Sequence, residues 1–243
     1  MQARIRRAQR LESLATLAAG IAHQFNNINT VIRGYLDLLL REPNFQERQI
    51  AYVKKAGKAV QRAVDITDAL LMLTGPSTTL GENVGLDHLV RSILPHMEGR
   101  ITKVNVSVDL ELVETAPVQA DEARLRFVVS SLLTNALDAL VDAPVRNLTV
   151  RTGSDSESVF LEVSDTGCGI TTEDLSRIFS PFFTTKGEWA REGSSQTRLK
   201  GVGLSLAICH AIISEYGGKI DVHSVLETGT TFRMSLPTAA RVL

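Results

Sequence analysis

The sequence is poor in cysteine and aromatic residues and is nearly neutral. Its 243 residues include only Cys168 and Cys209 as cysteines, and aromatic side chains make up 5%. Two isolated thiols exclude a disulfide scaffold and favour a reducing compartment. A formal net charge of −1 gives no long-range attraction to nucleic acid or to an anionic membrane. We therefore expect no nucleic-acid partner, and any bound anion must be held by a local site.

Long hydrophobic runs are also missing. The longest, at residues 38–40 and 69–73, are far too short to span a bilayer. No apolar signal segment follows the basic start around Arg4. We expect a soluble cytoplasmic chain, or the cytoplasmic part of a membrane-bound receptor whose sensor segment lies outside this sequence.

The first seventy-odd residues carry a helical pattern. Apolar residues step mostly by three or four in two stretches, which the break at residues 42–44 separates. The stripe is formed by Leu14, Leu17, Ile21, Phe25, Ile28, Val31, Leu36 and Leu39, then by Ile50, Val53, Ala56, Val60, Val64, Ile66, Leu70 and Leu73. Two such helices form a hairpin, and a second copy covers the stripe in a dimeric four-helix bundle. A coiled-coil spacer explains the periodicity equally well.

After the stretch from Gly75 to Thr79, which is typical of a linker, the pattern becomes mixed. Strands are predicted within 101–110, 148–150, 159–163, 219–225 and 231–236, and helices over 123–140 and 205–213. This order predicts an α+β domain with helices on one face of a sheet. We divide the chain into a helical hairpin at 1–74, a linker at 75–80 and a second domain at 81–243.

Four short clusters contain the residues most suited to chemistry. The first surrounds His23 in the first helix, and the second, beginning at Asn135, lies in a helix of the second domain. The third follows Asp165 at the end of a strand, and the fourth, beginning at Gly201, opens a helix. Their sequences are Ala22-His23-Gln24-Phe25-Asn26-Asn27, Asn135-Ala136-Leu137-Asp138-Ala139, Asp165-Thr166-Gly167-Cys168-Gly169 and Gly201-Val202-Gly203-Leu204-Ser205-Leu206.

In this order the clusters resemble those of two-component sensor histidine kinases, and the resemblance runs from about Leu11 to Leu236. It includes the phenylalanine-rich segment 178–186 and the late segment 229–232. It implies a dimerisation and phosphotransfer hairpin, followed by the α/β-sandwich ATP-binding domain shared with gyrase-type ATPases. It further implies that the chain binds ATP and Mg²⁺, phosphorylates His23 and passes the phosphoryl group to an aspartate of a response-regulator receiver domain.

The resemblance also assigns the nucleotide pocket. Asp165 would accept the exocyclic amine of adenine, although the same residues can form a simple turn at the end of a strand. Asn135 would supply an oxygen ligand to Mg²⁺, which otherwise keeps waters and phosphate oxygens. Backbone N–H groups at the start of the last helix would meet phosphate. The full set is Asn135, Asp138, Asp165, Gly167, Gly169, Ile170, Lys186, Gly201, Val202, Gly203, Leu204 and Thr230.

Two positions in this pocket depart from the pattern. Ser131 stands one turn before Asn135, where relatives often carry a second asparagine. ATP-hydrolysing relatives place a glutamate there to activate water, which a serine cannot do. The pocket is therefore suited to holding ATP for transfer. Ser205 stands where a third glycine is usual.

The catalytic cluster departs from the family pattern at Gln24, which directly follows His23. Most relatives have a carboxylate there, which can take the imidazole proton, whereas an amide can only orient the ring. We predict slow autophosphorylation, since general-base help contributes roughly 10²–10⁴ in rate. Asn27 at i+4 shares the histidine's face, and in the family this position orients water for dephosphorylating the regulator. The alternatives are an ATP-gated scaffold without kinase activity and a module biased toward phosphatase activity.

Overall fold

The computed structural model describes residues 27–28, 30–32, 34–35, 38–39, 47–57, 59, 82–155, 158–185 and 203–238. The chain divides into two compact units, Met1–Leu71 and Met72–Leu243. Every described residue between 27 and 59 has a helical backbone, in agreement with the periodicity of the sequence. The predicted division into a hairpin, a linker over 75–80 and a second domain stays a prediction.

The second unit alternates helices and strands. Its elements in chain order are β1 (Glu82–Val84), α1 (Leu86–Val104), β2 (Ser107–Leu112), β3 (Val118–Ala120), α2 (Glu122–Ala139), β4 (Asn147–Ser154), β5 (Ser158–Asp165), α3 (Thr172–Leu175), α4 (Ser205–Glu215), β6 (Lys219–Val225) and β7 (Gly229–Pro237). β1 and β3 form a small antiparallel pair. The other strands form one sheet in the order β2-β4-β5-β7-β6. Only the β2–β4 pairing in this sheet is parallel.

The core lies between one face of this sheet and helices α1, α2 and α4. Alternation along β4 and β5 turns every second side chain inward, among them Val150 and Leu161, which are fully buried. Helix α2 buries most of its length, including Leu132 and Leu133, and packs against α4. Each such side chain stabilises the fold by roughly 1.5–3 kcal/mol. Among the described residues, no helix combines the length and apolar character needed to cross a membrane.

Two strands (β1 and β3) and two helices (α1 and α3) were not predicted from the sequence, and one strand prediction was wrong in part. Ile101 and Val104 belong to helix α1, and the strand begins only at Ser107. The strand prediction was wrong in part because the apolar alternation on which it rested runs from the end of helix α1 into strand β2. The alternating residues are Val104, Val106, Val108 and Leu110. Asn105, with φ 57°, ends the helix between them. The buried residues of α1 repeat with helical spacing only in its first half, at Leu86, Leu89, Val90 and Ile93.

The opposite face of the sheet carries a row of charged side chains that crosses all five strands. The register places Arg151 between Glu111 and Glu162, and Arg233 between Glu162 and Asp221. Arg151 Nε lies 2.6 Å from Glu111 Oε2, and Arg233 Nη1 lies 3.4 Å from Glu162 Oε2. The hydrogen bond from Arg151 lowers the pKa of Glu111. Alternating signs let these exposed side chains neutralise one another across strands.

Candidate nucleotide-binding site

The floor of the site is formed where β5 and β7 end side by side. Asp165, the last residue of β5, is 6% exposed and pairs in register with Thr230 of β7. Its Oδ1 accepts a hydrogen bond from the backbone N–H of Gly167 at 2.9 Å. Thr230 Oγ1 lies 2.8 Å from Ser224 Oγ, and the same serine oxygen accepts from the N–H of Ile170. These bonds fix the turn after Asp165 to the neighbouring strands.

The turn at residues 167–169 lies directly on the end of helix α2. A Cβ at Gly167 would be 2.6 Å from the Cβ of Ala139, and the N–H of Cys168 donates to the carbonyl of Ala139. Gly169 has φ +69°, and a Cβ there would lie 2.2 Å from the carbonyl oxygen of Val225. Both positions therefore require glycine for steric reasons.

Helix α2 supplies one wall of the site. Asp121 caps its N-terminus by accepting a hydrogen bond from the N–H of Arg124. Asn135 and Asp138 lie one turn apart on the helix face that meets the cleft. Asp138 is 8% exposed and forms an ion pair with Arg100 of helix α1. The cleft wall thus combines a neutral amide oxygen with a carboxylate whose charge is balanced.

The other wall comes from two segments that touch through their backbones. A Cβ at Gly203, which has φ +74°, would lie 2.5 Å from the carbonyl oxygen of Phe183. The guanidinium of Arg177 lies 4.9 Å from the centre of the Phe183 ring. Helix α4 begins at Ser205, so the backbone N–H groups of its first turn are free of helical partners.

Together these elements enclose a cleft of about 210 Å³. The described residues that line it are Thr134, Asn135, Asp138, Ala139, Asp165, Cys168, Gly169, Ile170, Ile178, Phe183, Thr184, Thr185, Gly203, Ser205, Leu206, Thr230 and Phe232. A carboxylate, amide and hydroxyl oxygens, an apolar surface and a helix N-terminus therefore meet in one space.

The sequence-predicted residues are distributed over this cleft and beyond it. Seven of them line it: Asn135, Asp138, Asp165, Gly169, Ile170, Gly203 and Thr230. Gly167 packs against the end of α2 beside the cleft, and Leu204 is the buried residue that precedes α4. Asn27 lies in the first unit with a helical backbone and is half-buried. His23, Gln24, Lys186, Gly201 and Val202 lie outside the described residues.

Ser131 does not face the cleft. Its hydroxyl lies near the thiol of Cys209 on helix α4. Burial raises the pKa of Cys209 to about 12, and the nearby Ser131 side chain offsets only part of that effect. The serine that replaces the second family asparagine therefore belongs to the α2–α4 interface, and Ser131 is absent from the set of lining residues.

Several lining residues were not predicted from the sequence. Thr134 and Ala139 neighbour the predicted residues on α2, and Cys168 lies within the predicted turn motif. Their positions next to motif residues in the sequence could have identified these residues. Thr184 and Thr185 reach the cleft only because the phenylalanine-rich segment folds back on Gly203, which is a tertiary contact.

The donor set fits an adenine nucleotide with a magnesium ion. A buried carboxylate beside two close-packed glycines suits an exocyclic amine, and the start of α4 suits phosphate. Magnesium takes few protein ligands and keeps its waters, so one amide oxygen from Asn135 meets its needs. No group of three or more His, Cys, Asp or Glu side chains in the described part of the chain is arranged to hold a metal by itself.

Comparison with known sequence families assigns both parts of the chain. Residues 13–75 match the family described as His Kinase A (phospho-acceptor) domain. Residues 120–240 match the histidine kinase-, DNA gyrase B-, and HSP90-like ATPases. Among curated proteins, the chain is 34% identical over 234 residues to the C4-dicarboxylate transport sensor protein DctB of Pseudomonas aeruginosa. It is 31% identical over 237 residues to the histidine-protein kinase AtoS of Escherichia coli.

These alignments cover 94% and 97% of this chain but only 36% and 37% of DctB and AtoS. Solved structures agree with them. The isolated catalytic domain of histidine kinase ThkA matches with 30% identity and a TM-score of 0.53, covering 65% of this chain and 98% of that one. ThkA in complex with the response regulator TrrA matches with 26% identity and a TM-score of 0.75, covering 98% of this chain and 65% of that one.

The mixed sheet, the cleft and these relatives define an ATP-binding domain of the gyrase and histidine kinase type, joined to a phospho-acceptor domain. The chain belongs to the two-component sensor histidine kinases and corresponds to the catalytic core of that family.

Proposed function

We propose that this chain binds Mg-ATP in the cleft, phosphorylates His23 and passes the phosphoryl group to an aspartate of a response-regulator receiver domain. The single observation that carries the proposal is the position of Asp165, a buried carboxylate that lines a cleft facing Asn135 and the start of α4. The match of residues 13–75 to phospho-acceptor domains supports His23 as the acceptor.

At the base end, Asp165 accepts the exocyclic amine of adenine. Its Oδ1 is oriented by the Gly167 N–H, so the carboxylate does not need to reorganise when a base enters. Guanine carries a carbonyl oxygen at the equivalent ring position, and two acceptors facing each other repel. We therefore expect ATP to bind more tightly than GTP, and an Asp165→Asn variant to lose much of this preference.

At the phosphate end, the start of α4 and Asn135 hold the triphosphate. Backbone N–H groups near Ser205 donate to phosphate oxygens at the positive end of the helix. Asn135 would supply one oxygen ligand to Mg²⁺, and Gly203 and Leu204 would complete this end together with Lys186, Gly201 and Val202, which lie outside the described residues. The metal, when bound, screens the negative charge of the phosphate oxygens.

In the transfer step, a ring nitrogen of His23 attacks the γ-phosphorus. A P–N bond forms, the bond to the β-phosphate oxygen breaks, and ADP leaves with that electron pair. The ring then still carries a proton on its other nitrogen, and the phosphorylated imidazolium must lose this proton to become neutral phosphohistidine. Gln24 has no basic group to take it, so the proton passes to solvent and the step is slow.

The test is incubation of the purified chain with γ-labelled ATP. We expect an acid-labile, base-stable label on the wild type that is absent from His23→Ala and from Asp165→Ala. A His23→Ala variant that still carries this label would contradict the assignment. Asn83→Ala, whose side chain lies on strand β1 and contacts Gln119, is a control outside the cleft.

The Gln24→Glu variant tests the predicted origin of the slow rate. A carboxylate beside His23 supplies a general base, and we expect autophosphorylation to rise by about tenfold or more. The initial rate of labelling at saturating ATP measures this. An unchanged rate would show that proton removal does not limit the step.

The glutamine also favours one second candidate function, a scaffold or phosphatase-biased module that binds ATP without labelling itself. Asn27, which follows His23 by four residues in the sequence, would hold the water that dephosphorylates the regulator. ATP binding without label supports the scaffold, and loss of label from a phosphorylated regulator supports the phosphatase.

We further propose that the chain works as a homodimer through its helical hairpin and acts in the cytoplasm, with any membrane contact made by a sensor segment outside this sequence. The proposed partner is the receiver domain of a response regulator, and the similar kinase ThkA was solved in complex with the response regulator TrrA. The chain spans only 36% of the length of DctB. The activity of any longer protein that contains this chain is therefore also part of the proposal.

A further inference from the structure

The nucleotide cleft contains a second carboxylate that lies close to the expected path of the phosphates. Asp138 lines the cleft together with Asp165, and its side chain is 12% exposed. ATP carries about four negative charges at neutral pH, so an uncompensated Asp138 would repel it. The cleft therefore needs a cation that balances this residue.

The structure provides that cation from outside the cleft lining. Arg100, in the last part of helix α1, forms an ion pair with Asp138 Oδ1 through its Nη2 atom. Its side chain is 38% exposed, whereas that of Asp138 is 12% exposed. Arg100 is not among the described residues that line the cleft.

The position of Asp138 along α2 determines which part of a nucleotide it faces. Ala139 touches the Gly167 turn at the base end of the cleft, and Asn135 lies one turn earlier, toward the proposed phosphate end. Asp138 lies between them along the helix, one turn after Asn135, and also lines the cleft. In the proposed binding mode it would therefore lie nearest the sugar and the first phosphates, and its charge would matter most for nucleotides with more phosphates.

We propose that Arg100 is a positioning residue for the nucleotide phosphates and acts through Asp138. The ion pair holds the carboxylate toward α1 and neutralises its charge, so that the cleft accepts a polyphosphate. Arg100 makes no contact with the nucleotide in this proposal. The inference rests on the proposed ATP-binding function of the cleft.

The experiment measures dissociation constants of the full chain for adenosine, AMP, ADP and ATP by calorimetry, with and without Mg²⁺, at low and high salt. In Arg100→Met we expect adenosine to bind within about twofold of wild type. ATP should bind at least about tenfold more weakly at low salt, because an unbalanced carboxylate repels the negatively charged phosphates. The loss should grow from AMP to ATP and shrink at high salt.

Two further variants separate charge from architecture. Arg100→Lys keeps the positive charge and should retain most of the ATP affinity. The double variant Arg100→Met/Asp138→Asn removes both charges and should bind ATP more tightly than Arg100→Met alone. Arg126→Met, which removes an arginine paired with Glu122 on α2 outside the cleft, is the matched control.

Equal losses for adenosine and ATP would show that Arg100 only supports the fold, and the proposal would be overturned. The same holds if Asp138→Asn does not rescue Arg100→Met, because Arg100 would then not act through the carboxylate. If the wild type binds no adenine compound at all, the proposed function fails instead. Thermal melting of each variant identifies any that do not fold.

Discussion

At the scale of single residues, the cleft depends on glycines that let two backbones touch. Gly203 combines a positive φ with a close backbone contact to Phe183 in the same wall of the cleft. A side chain at this position meets both constraints at once, since an L-residue is strained at φ +74° and its Cβ would overlap a carbonyl oxygen. The contact therefore couples the wall of the cleft to the start of α4.

We expect Gly203→Ala to lower the free energy of unfolding by about 1–3 kcal/mol and to weaken ATP binding. Gly99→Ala is the matched control. Gly99 lies within α1, a Cβ there meets no atom within 4 Å, and alanine should stabilise the helix by about 0.5–1 kcal/mol. Urea unfolding of both variants measures the two changes in the free energy of unfolding, which should have opposite signs. A destabilised Gly99→Ala would contradict the reasoning.

The two cysteines should differ sharply in reactivity. Cys168 lines the cleft and is half-exposed, whereas Cys209 is fully buried with a pKa raised to about 12. At pH 8 we expect an alkylating reagent to modify Cys168 and to leave Cys209 unmodified in the folded protein, because a protonated, buried thiol is not a nucleophile.

ATP or ADP should protect Cys168 from modification, since both occupy the same cleft. Peptide mass spectrometry after timed alkylation, with Cys168→Ser as the control, distinguishes the two thiols. Rapid labelling of Cys209 in the folded chain, or no protection of Cys168 by nucleotide, would contradict this assignment of the cleft.

At the scale of elements, helix α4 is anchored at the end opposite to the cleft. Arg124 on the first turn of α2 is buried, and its Nη2 lies 2.7 Å from Glu215 Oε2 at the end of α4. The hydroxyl of Tyr216 accepts a hydrogen bond from the backbone N–H of Asp121. These contacts hold α4 against α2, and thereby fix the direction in which its first turn meets the cleft.

We expect Glu215→Ala to destabilise the fold by about 1–3 kcal/mol, and by more than Arg124→Met does. Removing the glutamate leaves a buried guanidinium without its carboxylate, whereas methionine removes the charge and fills the same space. Glu122→Ala, which breaks an exposed pair with Arg126, should change stability by at most about 0.5 kcal/mol. Denaturant unfolding measures all three, and equal effects of the first two would contradict this account.

The spacing of apolar residues explains which elements could be predicted from the sequence. Helix α4 and strand β6 were predicted at almost their observed bounds, because one has helical spacing and the other is short and rich in β-branched residues. Helix α1 was missed, since Pro95 and Gly99 interrupt it and its second half buries little. Strands β1 and β3 have three residues each, which is too short to show a period.

The candidate site could be predicted as far as the motifs extend. Asp165 and Asn135 lie within recognisable clusters, and the fold brings both to one cleft. Arg100 carries no such signal, because its contact with Asp138 exists only once α1 packs on α2. The direction of Ser131, toward Cys209 and away from the cleft, likewise depends on the rotation of α2 in the packed core.

At the scale of the whole molecule, the division into two compact units has a functional consequence. The described residues that line the cleft lie between Thr134 and Phe232 in the second unit, whereas His23 belongs to the first. The isolated catalytic domain of ThkA, which 65% of this chain matches, was solved as a separate structure. Binding of the nucleotide and acceptance of the phosphoryl group should therefore be separable.

We expect a fragment of residues 72–243 to fold with its own cooperative transition and to bind ATP with an affinity close to that of the full chain. It should carry no label from γ-labelled ATP until a fragment of residues 1–71 is added. Calorimetry and a labelling assay measure the two properties. Failure of the 72–243 fragment to bind ATP would place part of the cleft in the first unit.

The parallel pairing of β2 with β4 also has a consequence for the rate of folding. The two strands are joined by residues 113–146, which contain β3 and the whole of α2 with Asn135. Closing this connection costs chain entropy before the pairing contributes any stability, so strands that pair across it form late. We expect α2 to be helical before β2 meets β4, so that substitutions weakening this helix slow refolding. Helix α2, which lines the cleft, would then also set the pace at which the domain assembles.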